Sequence, residues 1–293
     1  MKFTGTTYRP PLEANTPLLQ VTGGCAYNKC TFCTMYRDDK FHVENIDQIE
    51  KDIRELKLIY GTSLTRIFLV NGDAFTLSAR RLKQISDLLI SYFPRLKTIT
   101  MYASISNVKS KSDEELQMLK EARINDLWMG VETGLEETLV AFNKGHNLED
   151  AYVQLERLNQ IGIRHLHGLM IGTGGRGRAL DSARATAELL NKTKPGLIWI
   201  CSLGVFEGSK LSEQVDRGEF IQATEREVLE EEIELLKQLN LENVAFYSNH
   251  PTNTVKFYGM LPQDKTRMID YIHQAMDEME TYELNAPAPR YSL

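Results

Sequence analysis

Three cysteines lie within nine residues near the start of the chain, and they are the residues best placed to do chemistry. The segment reads Cys25-Ala-Tyr-Asn-Lys-Cys30-Thr-Phe-Cys33. Thiolates bind iron strongly, and iron–sulfur clusters take cysteine ligands at such short spacings. Because a [4Fe–4S] cluster has four irons, three thiolates leave one iron open to a cofactor or substrate. The spacing therefore favours a cluster with an open iron.

Two other interpretations of the same cysteines stay open. A structural zinc site wants four ligands, and His42, nine residues after Cys33, is available as the fourth. The three thiols can also be unrelated to one another. A disulfide framework fits poorly, because it spreads an even number of cysteines through a small secreted chain.

The remaining cysteine, Cys201, stands alone in an apolar stretch. A free cysteine in such surroundings is typically a small buried hydrophobic residue. The functional alternative is a thiol that quenches a radical.

Apolar stretches and helical stretches alternate six times between residues 17 and 206, and this alternation predicts the elements that position the cysteines. Apolar strands separated by helices indicate parallel strands covered by helices. A closed eight-fold barrel needs about 250 residues, so six units fit a partial (βα)6 TIM-like barrel better, with an open doubly wound sheet as the alternative. Both folds place their sites at the carboxyl ends of the strands, and the cysteines follow the first strand. The predicted strands cover residues 17–23, 66–72, 97–104, 126–132, 163–172 and 196–206, and the predicted helices cover 46–60, 77–93, 112–122, 135–142, 147–161 and 179–193.

The predicted α/β chain has three parts. Residues 1–16 form an extended segment in which prolines block a helix, and residues 17–206 form the partial barrel. Residues 207–293 form a small C-terminal α/β extension, with long helices at 224–240 and 264–283.

A strand and a polar turn separate these two helices. Asn249, His250 and Asn253 cluster in this turn. They form either a lid that touches substrate or an asparagine-rich turn held by its own side chains.

Composition narrows the class of protein. The chain of 293 residues is 42% hydrophobic and 25% charged, which is typical of a globular protein with a sizeable core. A formal net charge of −6 argues against a nucleic-acid partner, which needs a basic face. There is no apolar run of about 18 residues for a membrane span, and the first residues lack the apolar core of a secretory signal. We therefore expect a cytoplasmic protein without a membrane partner.

The cysteine segment resembles the cluster motif of the radical S-adenosylmethionine (SAM) superfamily, which has three cysteines and an aromatic residue just before the last. That aromatic residue is Phe32 here, and the first gap holds four residues where three are usual. The stretch 129–151 is similar to the subgroup that contains oxygen-independent coproporphyrinogen oxidases, elongator-type enzymes and methylthiotransferases. The resemblance implies that Cys25, Cys30 and Cys33 ligate a [4Fe–4S] cluster and that SAM binds its open iron.

The resemblance also implies SAM-binding residues. Asn71-Gly72-Asp73 replaces the family's Gly-Gly-Glu stretch, which holds the amino group of SAM. Glu132 stands where the family contacts the ribose. Lys144 stands where an arginine usually holds the carboxylate; it keeps the charge but loses the bidentate fork. The structural alternatives for these three positions are, in the same order, a plain Asn-Gly turn, an acid at a helix N-terminus and a solvated surface lysine.

Two further positions follow from the same comparison. Gly168 lies in the fifth-strand stretch whose backbone usually faces adenine, and Ser104 ends the third strand as either a polar SAM contact or a structural residue. Coproporphyrinogen oxidases carry acids where this chain has Gly168 and Tyr102. Both departures weaken a porphyrinogen-oxidase assignment.

The function that the resemblance implies is reductive cleavage of SAM to methionine and a 5′-deoxyadenosyl radical, which abstracts hydrogen from an unidentified substrate. The implied electron donor is a flavodoxin or ferredoxin, and the implied setting is anaerobic. The alternatives are a coproporphyrinogen-oxidase-like or haem-related radical enzyme, and a non-catalytic Fe–S- or zinc-binding protein.

Overall fold

The computed structural model describes residues 1 and 3–290. The strands are β1 (Leu18–Gln20), β2 (Thr22–Gly23), β3 (His42–Val43), β4 (Arg66–Val70), β5 (Thr98–Ala103), β6 (Ile124–Glu132), β7 (Arg164–Ile171), β8 (Leu197–Ser202), β9 (Val244–Ser248) and β10 (Phe257–Leu261). The helices are α1 (Ile46–Tyr60), α2 (Ala79–Tyr92), α3 (Ile105–Lys109), α4 (Asp113–Glu121), α5 (Glu136–Ala141), α6 (Leu148–Ile161), α7 (Ala179–Thr193), α8 (Lys210–Asp216), α9 (Glu225–Gln238), α10 (Lys265–Glu278) and α11 (Thr281–Leu284). Within the described residues, none of these helices has the length and apolar character that crossing a bilayer requires.

Eight strands form one mostly parallel, unclosed sheet, which confirms the predicted α/β class and is consistent with a partial TIM-like barrel. The order is β1-β4-β5-β6-β7-β8-β9-β10, while β2 pairs only with β3. The pairings of β1 with β4, β4 with β5, β5 with β6, β7 with β8 and β8 with β9 are parallel. Strand β10 runs antiparallel to β9. The stretch predicted as an extension therefore contributes two strands to the same sheet.

Three local predictions are corrected by hydrogen bonding. The first predicted strand, 17–23, divides, because Thr22 and Gly23 pair with β3 rather than continuing along β4. The sixth, 196–206, stops at Ser202, whose N–H donates to the Asn253 side chain at 2.7 Å. Helix α3 was not predicted; Ser104 starts it with a capping box.

The chain divides into two compact units. The first contains residues 1–28, 35–129 and 153–165. In it, Arg66 pairs with Glu13 and donates from Nη1 to Asp126 Oδ2 at 2.7 Å. Trp128 Nε1 donates to Glu13 Oε1 at 3.0 Å. These bonds tie the N-terminal segment, which contains a 3-10 turn at Pro11–Glu13, to β4 and β6.

The second unit contains residues 29–34, 130–152 and 166–293. One face of its strands is fully buried, as at Ile198, Ile200 and Phe246. Helix α10 lies against that face of β10, where the side chain of Met268 occupies the space beside Gly259. The residues that alternate with these are half-buried on β8 and β9 and exposed on β10. The second unit therefore has one covered sheet face and one open one.

Helix α9 carries buried carboxyl groups in this unit, among them Glu231 and Glu232. Glu231 accepts from Ser182 Oγ at 2.6 Å and from Gly172 N at 2.8 Å. Glu232 is 1% exposed, and its Oε1 lacks a hydrogen-bond partner among the described residues. Burial raises the pKa of Glu231 to about 7 and that of Glu232 to about 8, against opposing hydrogen bonds from Ser182 and Ser248 respectively.

These shifts predict a pH-dependent stability. Between the ordinary pKa of 4.5 and about 8, the folded protein keeps the Glu232 proton while the unfolded chain releases it. The free energy of unfolding therefore falls as pH rises through this window. Glu232→Gln should flatten that fall, and exposed Glu230→Gln should leave it unchanged. Urea titrations at several pH values measure both slopes; equal slopes in wild type and Glu232→Gln would contradict the assignment.

Candidate functional site

The segment Lys29–Thr34 carries two of the three clustered cysteines and is fastened on both sides within the second unit. Thr31 N donates to Phe142 O at 3.0 Å, and Leu211 N donates to Thr31 O at 2.9 Å. Asn143 Nδ2 donates to the Lys29 carbonyl at 3.0 Å. The ends of α5 and α8 therefore hold the cysteine segment by its backbone, and none of these three bonds uses a thiol.

Phe32, the aromatic residue before the last cysteine, packs into an apolar cluster. Its ring centroid lies 5.1 Å from that of Phe142. The cluster also contains Met170 and Leu211, and Cys201 packs against it. Because Met170 and Cys201 are paired across β7 and β8, this contact places the cysteine segment beside the open face of the second unit's sheet.

Glu132 and Lys144 form the central ion pair of this site. Lys144 Nζ lies 2.7 Å from Glu132 Oε1, and each side chain is only 12% exposed. Glu132 ends β6 with φ of 69°, a left-handed conformation that is uncommon outside glycine and clusters at functional sites. A Cβ on Gly130 would lie 2.4 Å from Glu132 Oε1, so glycine makes room for the carboxylate to fold back.

The cysteine segment adds negative charge around this lysine. Lys144 Nζ also lies 5.7 Å from the centre of the Phe32 ring. Burial lowers the pKa of Lys144, but the charges of Glu132, Cys30 and Cys33 outweigh it and raise that pKa above its ordinary value. Lys144 is therefore a permanent cation beside two of the clustered thiols, rather than a solvated surface lysine.

The Asn71-Gly72-Asp73 turn lies in the first unit. Asn71 is completely buried, and neither Oδ1 nor Nδ2 has a hydrogen-bond partner among the described residues. A Cβ on Gly72 would lie 2.2 Å from the Tyr36 ring, so only glycine fits there. An unsatisfied buried amide costs about 1–3 kcal/mol, and such a group in a folded protein calls for a bound polar partner.

Cys25 also lies in the first unit. Its Sγ accepts from Asn28 N at 3.4 Å, and Asn28 Nδ2 in turn donates to the Tyr36 carbonyl at 2.9 Å. Asn28 adopts a positive φ of 43°, which asparagine tolerates better than most residues. A tight turn therefore fixes the Cys25 thiol.

Lys111 is a buried residue of this region that the sequence did not single out. It is 5% exposed, and its Nζ donates to the Phe75 carbonyl at 2.7 Å, just after Asp73. The ammonium also lies 4.4 Å from the centre of the Phe75 ring. Burial lowers its pKa to about 8. A single lysine in a polar stretch gives no sequence signal for such burial.

Two of the predicted SAM contacts have other surroundings. The Ser104 hydroxyl accepts from Asn107 N at 3.2 Å and caps α3, which accounts for this serine structurally. Gly168 is paired with Trp199 across β7 and β8 and shares the open face with Met170.

The surroundings of His42 speak against a zinc site. His42 Nδ1 contacts Lys40 O at 3.2 Å, and Nε2 contacts Glu44 Oε1 at 3.0 Å, so both ring nitrogens are engaged. Among residues 1 and 3–290, no three His, Cys, Asp or Glu side chains are gathered as a single-ion site. A four-iron cluster spreads its thiolates over separate irons and does not require such a group. None of the four cysteines forms a disulfide.

The 249–253 turn is held by its own side chains. Asn253 Oδ1 accepts from Ser202 N and Oγ, and Nδ2 donates to Ile200 O at 3.0 Å and Ser248 Oγ at 2.8 Å. His250 contacts Thr252 Oγ1 at 2.7 Å. The interpretation as a structural turn therefore accounts for both residues.

Comparison with known proteins gives a family match. The model of the radical SAM superfamily matches residues 19–190. The heme chaperone HemW of Bacillus subtilis strain 168 is 30% identical over 114 residues, which cover 39% of this chain and 30% of HemW.

Solved structures share the fold. The methyltransferase TsrM of Kitasatospora setae, with cobalamin and a [4Fe–4S] cluster bound, has a TM-score of 0.55 and 14% identity, covering 69% of this chain and 39% of TsrM. Coproporphyrinogen III oxidase HemN of Escherichia coli has a TM-score of 0.54 and 15% identity, covering 76% and 52%. Elp3 of Methanocaldococcus infernus has a TM-score of 0.53 and 15% identity, covering 92% and 64%. The chain thus spans less than two thirds of each protein's length.

The buried pair should show strong energetic coupling in a double-mutant cycle. Glu132→Gln or Lys144→Met alone leaves one charge without its partner, so the double variant should be less destabilised than the sum of the singles. We expect a coupling of about 1–3 kcal/mol from urea unfolding of the cluster-free protein.

The matched control is the exposed pair Glu188 and Lys192, whose side chains are 62% and 58% exposed. Its coupling should stay below about 0.5 kcal/mol. Equal coupling in the two pairs would refute a special role for Glu132 and Lys144.

Proposed function

Since the chain belongs to the radical SAM superfamily, whose general reaction is the cleavage of SAM, we propose that it cleaves SAM reductively at a [4Fe–4S] cluster and uses the product radical to abstract hydrogen from a substrate. The observation that carries this proposal is the Lys144–Glu132 pair beside the fastened segment of Cys30 and Cys33. A metal-only site has no need of a buried cation and carboxylate next to its thiols.

The donor set fits a cluster. Cys25, Cys30 and Cys33 are partly exposed and outside any disulfide. The backbone around Cys30 and Cys33 is held by hydrogen bonds to Phe142, Asn143 and Leu211, so ordering these two ligands costs little loop entropy. When bound, the cluster supplies the low-potential electron that breaks the sulfonium C–S bond, giving methionine and a 5′-deoxyadenosyl radical. Radical SAM enzymes generally need a reductant, and we propose a flavodoxin or ferredoxin here.

The polar residues fit SAM. We propose that the unsatisfied Asn71 side chain and Asp73 accept from the SAM ammonium, since an ammonium has three donors and no acceptor. Lys144 would hold the SAM carboxylate by a charge-assisted bond, and Glu132 would accept from a ribose hydroxyl. Phe32 and Gly168 would border the adenine. Ser104 stays a weaker candidate because its hydroxyl caps α3.

These residues have non-redox tasks. The positive charge of Lys144 would offset the negative charge of the thiolates and of the SAM carboxylate. The apolar cluster of Phe32, Phe142 and Met170 keeps water from one side of the site, which protects a reactive radical from side reactions.

A haem-related function is the second candidate, favoured by the match to HemW. Half-buried Tyr102 and Gly168, which stand where coproporphyrinogen oxidases carry acids, weigh against porphyrinogen oxidation itself. Haem titration monitored by the Soret band, together with a 5′-deoxyadenosine assay, separates the two functions. Haem binding without SAM cleavage would favour the haem-related one.

The cysteine assignment is tested by iron analysis after anaerobic reconstitution. Cys25→Ala, Cys30→Ala and Cys33→Ala should each lose the brown chromophore and the release of 5′-deoxyadenosine after chemical reduction. Cys201→Ala, the matched control, should keep its iron. Wild-type iron content in Cys30→Ala would refute the assignment, and wild-type protein that holds iron but releases no 5′-deoxyadenosine would support a non-catalytic Fe–S protein.

The SAM carboxylate contact is tested at Lys144. Lys144→Ala should weaken SAM binding about ten- to a hundredfold, on the scale of a charge-assisted hydrogen bond, while Lys144→Arg should bind nearly normally. Equilibrium dialysis of the reconstituted protein measures both affinities. Exposed Lys210→Ala is the control, and iron content should match wild type throughout. Unchanged affinity in Lys144→Ala would remove Lys144 from the site.

A further inference from the structure

Three aromatic side chains line up across the open sheet face of the second unit. The register pairs Trp199 on β8 with Tyr247 on β9, and Tyr247 with Tyr258 on β10. The rings of Tyr247 and Tyr258 stack, with centroids 6.0 Å apart and planes 20° from parallel. At the other end of the row, Trp199 is paired with Gly168, which has no side chain to cover the indole. We call these three residues the aromatic row.

This row is open although it is apolar. Tyr258 is 66% exposed and its neighbour Met260 is 41% exposed, whereas the residues on the opposite face are buried. The seven residues on this side of β8, β9 and β10 include no charged side chain: Leu197, Trp199, Cys201, Ala245, Tyr247, Tyr258 and Met260. Contiguous apolar surface of this kind, exposed on β10 and half-buried on β8 and β9, marks a binding site more often than a plain surface. The absence of charge on the row favours an uncharged occupant.

The row is continuous with the site already described. Its next layer on the same face is Met170 and Cys201, two residues along each strand, or about 6.5–7 Å. That layer packs against Phe32 of the cysteine segment. A flat group at the Trp199 end of the row therefore lies one residue layer from the segment that we propose carries the cluster.

The outer edge of β10 is poorly suited to pairing with a further strand. Although β10 is the last strand, Met260 N donates to Asp264 Oδ2 at 2.8 Å, and Arg267 donates to Tyr258 O at 3.1 Å. The first turn of α10 thus occupies hydrogen-bonding groups that a partner strand needs.

The plane of the Trp199 indole is fixed by His250. The two rings stand edge-on with centroids 5.0 Å apart.

We infer that the aromatic row binds a planar, uncharged aromatic group of the substrate by stacking. That this group belongs to the substrate rests on the proposed radical SAM function, whereas the binding itself does not. Rings present both a large apolar area and a face that other rings stack on. A saturated ring of equal size offers the same apolar area without flat faces. The row therefore selects flat rings over puckered ones.

The test uses two probes with one carbon skeleton, 2-naphthol and decahydro-2-naphthol. Equilibrium dialysis against the full chain measures each affinity, with and without the reconstituted cluster. We expect saturable binding of 2-naphthol and at least about threefold weaker binding of the saturated probe. Tyr247→Ala and Tyr258→Ala should each weaken 2-naphthol binding about three- to tenfold, the scale of one aromatic pair. The control is Tyr282→Ala, which removes a tyrosine that is 72% exposed on α11. It should leave the affinity for 2-naphthol unchanged.

Three outcomes overturn the inference: no saturable binding of 2-naphthol, equal affinity for both probes, or binding that survives both row substitutions. Cys33→Ala separates this inference from the proposed function. If that variant loses iron and still binds 2-naphthol through Tyr258, the row is a binding site whatever the fate of SAM cleavage. If wild type cleaves SAM but fails the probe test, only the row is refuted. Far-ultraviolet circular dichroism confirms that each variant is folded.

Discussion

A lysine stays charged away from water only when negative groups surround it, and the environment of Lys144 is the constraint around which the site is arranged. Glu132 supplies the counter-charge, but only because β6 ends in a left-handed turn and Gly130 leaves space for the carboxylate. Just before Lys144, the Phe142 carbonyl and the Asn143 side chain hold the cysteine segment. One short stretch of chain therefore sets both the charge of the site and the position of two thiols.

Much of the architecture follows from the sequence, because buried parallel strands are almost continuously apolar and their helices are amphipathic. Strands such as Arg66–Val70 and Leu197–Ser202 were found within a few residues. The two C-terminal strands were missed as sheet members. Strand β10 has exposed Tyr258 and Met260 between buried residues, so its sequence lacks the alternation of polar and apolar residues that marks a half-buried strand. Its pairing with β9 depends on a turn whose bonds come from Asn253.

For the candidate site, the sequence predicted the residues that belong to short motifs and missed the contacts that depend on burial. Cysteine spacing and the offset between Glu132 and Lys144 are local patterns, and the structure brings that pair together as an ion pair. The contact between Glu132 and Lys144 was not expected, because the motif assigns each residue to a part of SAM. It carries no information about ion pairs between the protein's own side chains. Lys111 was invisible for another reason. Its burial against Phe75 is a contact between distant parts of the chain, which no short sequence pattern records.

The amide of Asn253 uses both of its polar atoms, with bonds to Ser202, Ile200 and Ser248. The end of β8 cannot fray one residue at a time, because releasing the Ser202 N–H also frees buried groups that have no water to bind. Its proton can exchange with solvent only when the whole turn lifts away. This end of the sheet is therefore among the last places where the native protein opens spontaneously, and Cys201 just before it is kept in place by the same cooperative unit.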